Sequence, residues 1–145
     1  MRELPRQLSR EELAELFEGR TRFVELLAER EDPIEAAPAV IEELSEEEKI
    51  EAVNAHPAIG GRVLSPRSAE EQGADADPVV QTELAYLNQV YEEKFGFRFV
   101  VFVDRRPKAE ILEVLRERLE RTREEELETA LTELVAIARD RWSRG

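Results

Sequence analysis

Apolar residues recur along the chain at the three- and four-residue spacing of helices, and polar start signals separate the runs. Ser9-Arg-Glu-Glu12 has the capping-box spacing and predicts a helix through Leu13, Leu16 and Phe17. A second helix is expected from Arg22 to Arg30, with Phe23, Leu26 and Leu27 on one side. Pro33 and Pro38 punctuate the next stretch, Ile34 to Leu44. Ser45-Glu-Glu-Glu48 repeats the capping box and opens a short helix through Ile50 and Val53. That helix should stop at Asn54-Ala-His56-Pro57, because a residue preceding proline is pushed out of the α region.

From Pro57 to Ala76 no period is sustained, and Gly60, Gly61, Gly73, Pro66 and two serines break the pattern. In a compact domain an irregular stretch of this length is either disordered or functional. Asp77-Pro78 then reads as N-cap and first helical residue, with Val80, Leu84, Leu87, Tyr91 and Phe95 in helical register and Gly96 placed to end the helix. The run Phe97-Arg-Phe-Val-Val-Phe-Val103 is β-prone and apolar but has no visible partner strand, so a buried extended segment between helices is expected. Pro107 should start another helix, with Ile111, Leu112, Leu115 and Leu119 inward. Thr122-Arg-Glu-Glu125 caps the last, whose stripe is Leu127, Leu131, Leu134, Val135, Ala138 and Trp142. The reading is a single all-α domain over residues 1–145, a bundle of about six to eight helices with one buried extended segment at 97–103.

A chain of 145 residues has room for one such core, burying roughly 70% of the surface its unfolded form would expose. Composition narrows the chemistry. With no cysteine, disulfides, thiolate metal sites and thiol nucleophiles drop out. The formal charge of −13 argues against nucleic acid, which needs a basic face. No apolar run approaches the roughly 20 residues that cross a bilayer. The first residues lack a signal-peptide apolar region, and Ser143-Arg-Gly is no peroxisomal address, so a cytoplasmic protein is expected. The same charge would repel an anionic substrate, so an anion site would need local cations or aimed N–H groups. Arginine, which supplies all basic residues but three lysines, suits fixed-geometry contacts to planar groups. Most Glu/Arg pairs at helical spacing should nonetheless be ion-paired surface.

Three places could carry chemistry. His56, the only histidine, is the one side chain that changes charge near neutrality without help. Its position fits a helix-terminal histidine beside free carbonyls as readily as acid–base work. A metal site is not expected, since no ligand spacing accompanies it. Ser68-Ala-Glu-Glu71-Gln72 satisfies a capping box, yet Glu71 and Gln72 on a loop reachable from His56 would also offer an acceptor and an amide to a polar heterocycle. Arg139-Asp140-Arg141 ends the last helix, where arginines usually sit on the surface and favour the dipole.

Taken together and in order, these residues resemble the OHCU decarboxylase family, named for 2-oxo-4-hydroxy-4-carboxy-5-ureidoimidazoline. The resemblance rests on His56-Pro57, Ser68-x-x-Glu71-Gln72, Leu87-Asn88-x-x-Tyr91 and Phe95-Gly96-Phe97-x-Phe99-Val100. It continues through Ile111-Leu112, Arg118-Leu119, Glu126, Ala130-Leu131 and Ile137-Ala-x-x-Arg141. It implies an all-α fold, a homodimer, no cofactor, and decarboxylation of a small anionic ureidoimidazoline to (S)-allantoin in urate breakdown.

Residue by residue, the resemblance makes His56 the catalytic histidine, with Pro57 beside it and Ser68, Glu71 and Gln72 as polar substrate contacts. Phe99, Val100, Val101, Phe102 and Val103 match a pocket-lining segment, partly through backbone groups. Arg141, four residues after Ile137, matches the arginine of the last helix, whereas Arg139 does not. Two departures stand out: Arg98 occupies a position where the family commonly has proline, and the spacer between His56 and Ser68 is short. The first bears on how the extended segment approaches, the second on the shape of the loop. Two other readings stay open at the level of sequence. One is a non-catalytic acidic helical interaction module, and the other is a relative acting on another ureido acid.

Overall fold

The computed structural model describes residues 8–56 and 77–144. Ser9 caps α1 (Arg10–Phe17) with the full reciprocal box: its Oγ accepts from the Glu12 N–H at 3.1 Å, and Glu12 accepts from the Ser9 N–H at 3.1 Å. Thr21 caps α2 (Arg22–Ala28). Then follow α3 (Pro33–Glu43) and α4 (Glu46–Ala55), the latter opened by the Ser45/Glu48 box. α5 (Pro78–Phe95) starts on Asp77 and stops at Gly96, which takes the left-handed conformation at φ 84° that an L side chain rarely adopts. α6 (Lys108–Arg118) and α7 (Arg123–Arg144) complete seven helices among the described residues, with no strand. The all-α reading and the extended segment both hold.

Three details differ from expectation. Pro38 does not punctuate; α3 runs through it, with Ala37, Val40 and Ile41 buried around the break. A proline inside a helix costs about 3 kcal/mol, and burial of that apolar face offsets it. Pro107 is the N-cap of α6 rather than its first helical residue, since its ψ of 154° lies outside the helical region. Leu119 and Trp142 are only partly buried, so the inward faces of α6 and α7 are narrower than periodicity suggests.

α7 is the central element and packs against α1, α3 and α4. Its inward stripe includes Leu127, Leu131, Leu134, Val135 and Ala138, and it also buries two charged residues, Glu126 and Arg141. Residues 97–103 run extended between α5 and α6, with Phe97, Phe99, Val100, Val101 and Val103 all buried. Tyr91 holds the start of this segment between rings, with centroids 6.1 Å from Phe97 and 5.2 Å from Phe99. A buried polar cluster holds its middle. The Arg118 guanidinium donates to the Val100 carbonyl at 2.6 Å and to Glu126 at 2.7 Å, and lies 4.7 Å from the Phe99 centroid. Glu126 also accepts from the Tyr91 hydroxyl at 2.6 Å and from Arg121 at 2.9 Å. Lacking a partner strand, the segment meets its backbone needs with side chains: the Phe102 N–H donates to Glu133, and Arg106 donates to the Val103 carbonyl.

Candidate active site

α1 and α4 end close together. Gly19, just beyond α1, approaches the end of α4 so nearly that a Cβ there would lie 3.1 Å from the Ala55 Cβ. Arg22, opening α2, donates its backbone N–H to Glu51 of α4 at 2.8 Å and ties the same corner from the other side. His56 is the C-cap of α4, with φ −80° and ψ 135°, as its place before proline requires. Its N–H donates to the Val53 carbonyl at 3.2 Å.

His56 is 7% exposed, and its Nδ1 is buried with no hydrogen-bond partner among the described residues. Burial pushes the His56 pKa down from 6.5 to about 4, and the positive charges of Arg141 and Arg98 push the same way against the opposing carboxylate of Glu18. The ring is therefore neutral at pH 7.

Arg141 turns inward from the last turns of α7 and is fully buried. It donates to the Leu16 carbonyl at 3.0 Å, at the end of α1, and pairs with Glu18 at 3.0 Å. Glu18, the C-cap of α1, stands at φ 66°, a left-handed conformation that is uncommon for a residue with a side chain. Arg139, two residues earlier, lies on the surface and reaches Glu35 at 3.6 Å. The register along α7 thus brings Arg141, and not Arg139, to the imidazole's surroundings.

Of the remaining residues singled out from sequence, Phe99, Val100, Val101 and Val103 are buried and Phe102 is partly buried. The residue preceding this run, Arg98, reaches the His56 carbonyl. Pro57, Ser68, Glu71 and Gln72 lie outside the described residues. Sequence reasoning missed Glu18 and Asn54. Glu18 carried one signal, an acidic residue beside a glycine where a helix should end; Asn54 carried none beyond its nearness to His56. Among the described residues, no group of three or more His, Cys, Asp or Glu side chains is placed to hold a metal ion. No described helix is long and apolar enough to cross a membrane.

A neutral buried imidazole beside a buried guanidinium can take up a proton while the cation holds a neighbouring negative charge. Comparison with known proteins places the chain. Residues 2–143 match the family model described as OHCU decarboxylase. The chain belongs to the OHCU decarboxylase family. It is 33% identical over 109 residues to the 2-oxo-4-hydroxy-4-carboxy-5-ureidoimidazoline decarboxylase of Halalkalicoccus jeotgali, covering 72% of this chain and 62% of that protein. It is 36% identical over 104 residues to the uric acid degradation bifunctional protein of Bacillus sp. strain TB-90, covering 68% of this chain and 21% of that one. The match therefore spans less than two thirds of the length of either relative.

Among solved structures, an OHCU decarboxylase crystallised in the presence of (S)-allantoin superposes with a TM-score of 0.76 at 26% identity, covering 92% of this chain and 96% of that one. An (S)-allantoin synthase shares the fold, with a TM-score of 0.69 at 23% identity over 93% of this chain and 48% of that one. Within this family member, the imidazole and guanidinium come from the ends of α4 and α7. Their common neighbour is the carboxylate that ends α1.

Proposed function

We propose that this chain decarboxylates 2-oxo-4-hydroxy-4-carboxy-5-ureidoimidazoline to (S)-allantoin in urate degradation, without a cofactor. The match over residues 2–143 supports the reaction class. The observation that carries the reading is the pairing of the chain's only imidazole, neutral and buried, with the fully buried Arg141. A protein at −13 has to collect positive charge locally to hold a carboxylate substrate, and Arg141 and Arg98 do so beside His56.

Decarboxylation leaves an electron pair on carbon, and many enzymes recruit a cofactor to accept it. This substrate carries its own sink. As the bond to the carboxylate breaks, the pair moves into the adjacent ring C=N, whose nitrogen gains a proton. The resulting enol gives up its hydroxyl proton, and the ureido-bearing carbon gains one. Substrate anion plus one proton thus becomes neutral allantoin plus CO2. His56, neutral at pH 7, is set to accept the hydroxyl proton, and return of a proton to one face of the ring fixes chirality. Arg141 stabilises negative charge as it moves onto ring oxygen or nitrogen. Ser68, Glu71 and Gln72 hold the ureido and ring polar groups, Pro57 contacts the substrate beside His56, and the backbone of Phe99–Val103 lines the pocket. The protein works as a cytoplasmic homodimer in this reading.

The test generates the unstable substrate in place from urate with the upstream enzymes and follows chirality by circular dichroism. His56→Ala should fold and lose on the order of 10²–10⁴-fold in turnover, the usual contribution of a general acid–base group. Activity within a few-fold of wild type would remove His56 from the chemistry.

A further inference from the structure

We propose that Arg98 is a positioning residue for His56: it clamps the end of α4 and so fixes the peptide that carries the imidazole. The last carbonyls of a helix lack intrahelical donors and need partners from elsewhere. At the end of α4 the Asn54 and His56 carbonyls take theirs from one residue, distant in sequence. Arg98 Nη1 donates to the Asn54 carbonyl at 3.0 Å and to the His56 carbonyl at 3.0 Å. The backbone N–H of Arg98 donates to Asn54 Oδ1 at 2.9 Å. His56 is consequently held at both of its peptide groups, the N–H by Val53 and the carbonyl by Arg98. Only side-chain rotation is left to the imidazole, and burial restricts that.

Arg98 is not core filling. Its side chain is 40% exposed, and its Nε lies 3.6 Å from Glu92. Both bonds leave one nitrogen, Nη1, which the rigid planar guanidinium holds in place and a lysine on its flexible stem does not. The charge matters as well as the shape. Among the described residues, the charged groups bearing on the imidazole are Arg141 from α7, Glu18 from the end of α1 and Arg98 from the extended segment. Arg98 adds a second cation and favours the neutral ring. It also couples two parts of the site, since it precedes Phe99–Val103 directly and any displacement of that segment is transmitted to His56.

The proposal rests on His56 carrying the proton transfer, and the experiment separates the two ideas. Because His56 is the only histidine, its titration is a single imidazole signal by NMR, readable in the whole chain without any turnover. Arg98→Ala and Arg98→Lys are compared with wild type for that titration, for kcat and KM, and for the thermal midpoint. In Arg98→Ala the imidazole should titrate at higher pH and kcat should fall about tenfold or more, toward the 10²-fold that a 1 Å misplacement can cost, with KM changed less than kcat. Arg98→Lys should return the titration close to wild type through its charge and recover kcat only in part. Should Arg98→Ala not fold, the lysine variant carries the test through its kcat.

An unchanged titration together with unchanged kcat, or a lysine variant with full kcat, overturns the proposal. So does a loss of activity that merely follows the unfolded fraction while the titration stays put. Full activity in His56→Ala would instead sink the catalytic reading, and the titration shift would still report whether Arg98 acts on the ring.

Discussion

Lowering the pH from 7 to 4 should destabilise this protein through one residue by an amount that can be isolated. His56 titrates near 6.5 when unfolded and near 4 when folded. Between those values the unfolded chain binds a proton that the folded chain refuses, so stability falls as pH falls through that window and is complete above it. A difference of about 2.5, from 6.5 to about 4, at about 1.36 kcal/mol per pH unit comes to about 3 kcal/mol. That is a large share of the 5–15 kcal/mol by which domains are typically stable. His56 is 7% exposed, so solvent screening removes little of it.

The assay is urea unfolding followed by circular dichroism at pH 7, 6, 5 and 4, on wild type and His56→Gln. Both proteins carry the same 34 acidic residues, so carboxylate titration cancels in the difference between them. The difference curve should be flat above pH 7 and drop by about 3 kcal/mol on reaching pH 4. A flat difference throughout would mean that His56 protonates in the fold as easily as outside it, and the buried-imidazole picture would fail. A rise toward low pH would be worse for it, because Glu18 would then outweigh Arg141, Arg98 and burial together.

The other perturbations follow from the same contacts. Arg141→Lys keeps the charge but loses the planar fork, so kcat should drop, whereas Arg139→Lys on the surface should be nearly silent; the reverse order would refute the register of α7. Glu18→Gln takes from the buried Arg141 a carboxylate 3.0 Å away and should cost about 3–5 kcal/mol in urea unfolding; a change under 1 kcal/mol would show that other groups neutralise it. Glu126→Gln weakens the cluster holding Tyr91, Arg118 and Arg121, and should lower the thermal midpoint far more than the exposed Arg116→Ala does. Gly19→Ala pushes a methyl against Ala55 and should cost about 1–3 kcal/mol while lowering activity, checked by unfolding and kinetics on one preparation.

The helices were legible because their signals are local. Ser9, Ser45, Thr122 and Asp77 announce starts through bonds that span two or three residues, and Gly96 announces a stop. The segment 97–103 was legible for another reason: its apolar run had no partner strand, which left burial as the outcome. Pro38 misled because burial of the surrounding face outweighs a missing N–H, and sequence does not display burial. His56 and Arg141 could be singled out as candidates, but their juxtaposition depends on the packing of α1, α4 and α7. The roles of Glu18, Asn54 and Arg98 were out of reach. Each acts through a contact with a residue more than 40 positions away, and none belongs to a pattern of its own.

The arginine at the end of α7 illustrates how that packing changes a residue's meaning. Read within its own helix, Arg141 is a cation in a last turn, well placed for the dipole and for water. In the fold it donates instead to the Leu16 carbonyl at the end of α1, as Arg98 donates to the carbonyls at the end of α4. Both helix ends meet at His56, so the carbonyls that need donors draw two guanidinium groups to one imidazole. Burial keeps the ring neutral and their positive charge adds to it, with Glu18 limiting the surplus. In a chain carrying −13 this gathers cations at the place proposed for the substrate anion, and it does so through the unmet hydrogen-bonding needs of two short helices. Neutralising either helix end by another route would release its arginine and leave the imidazole without that cation.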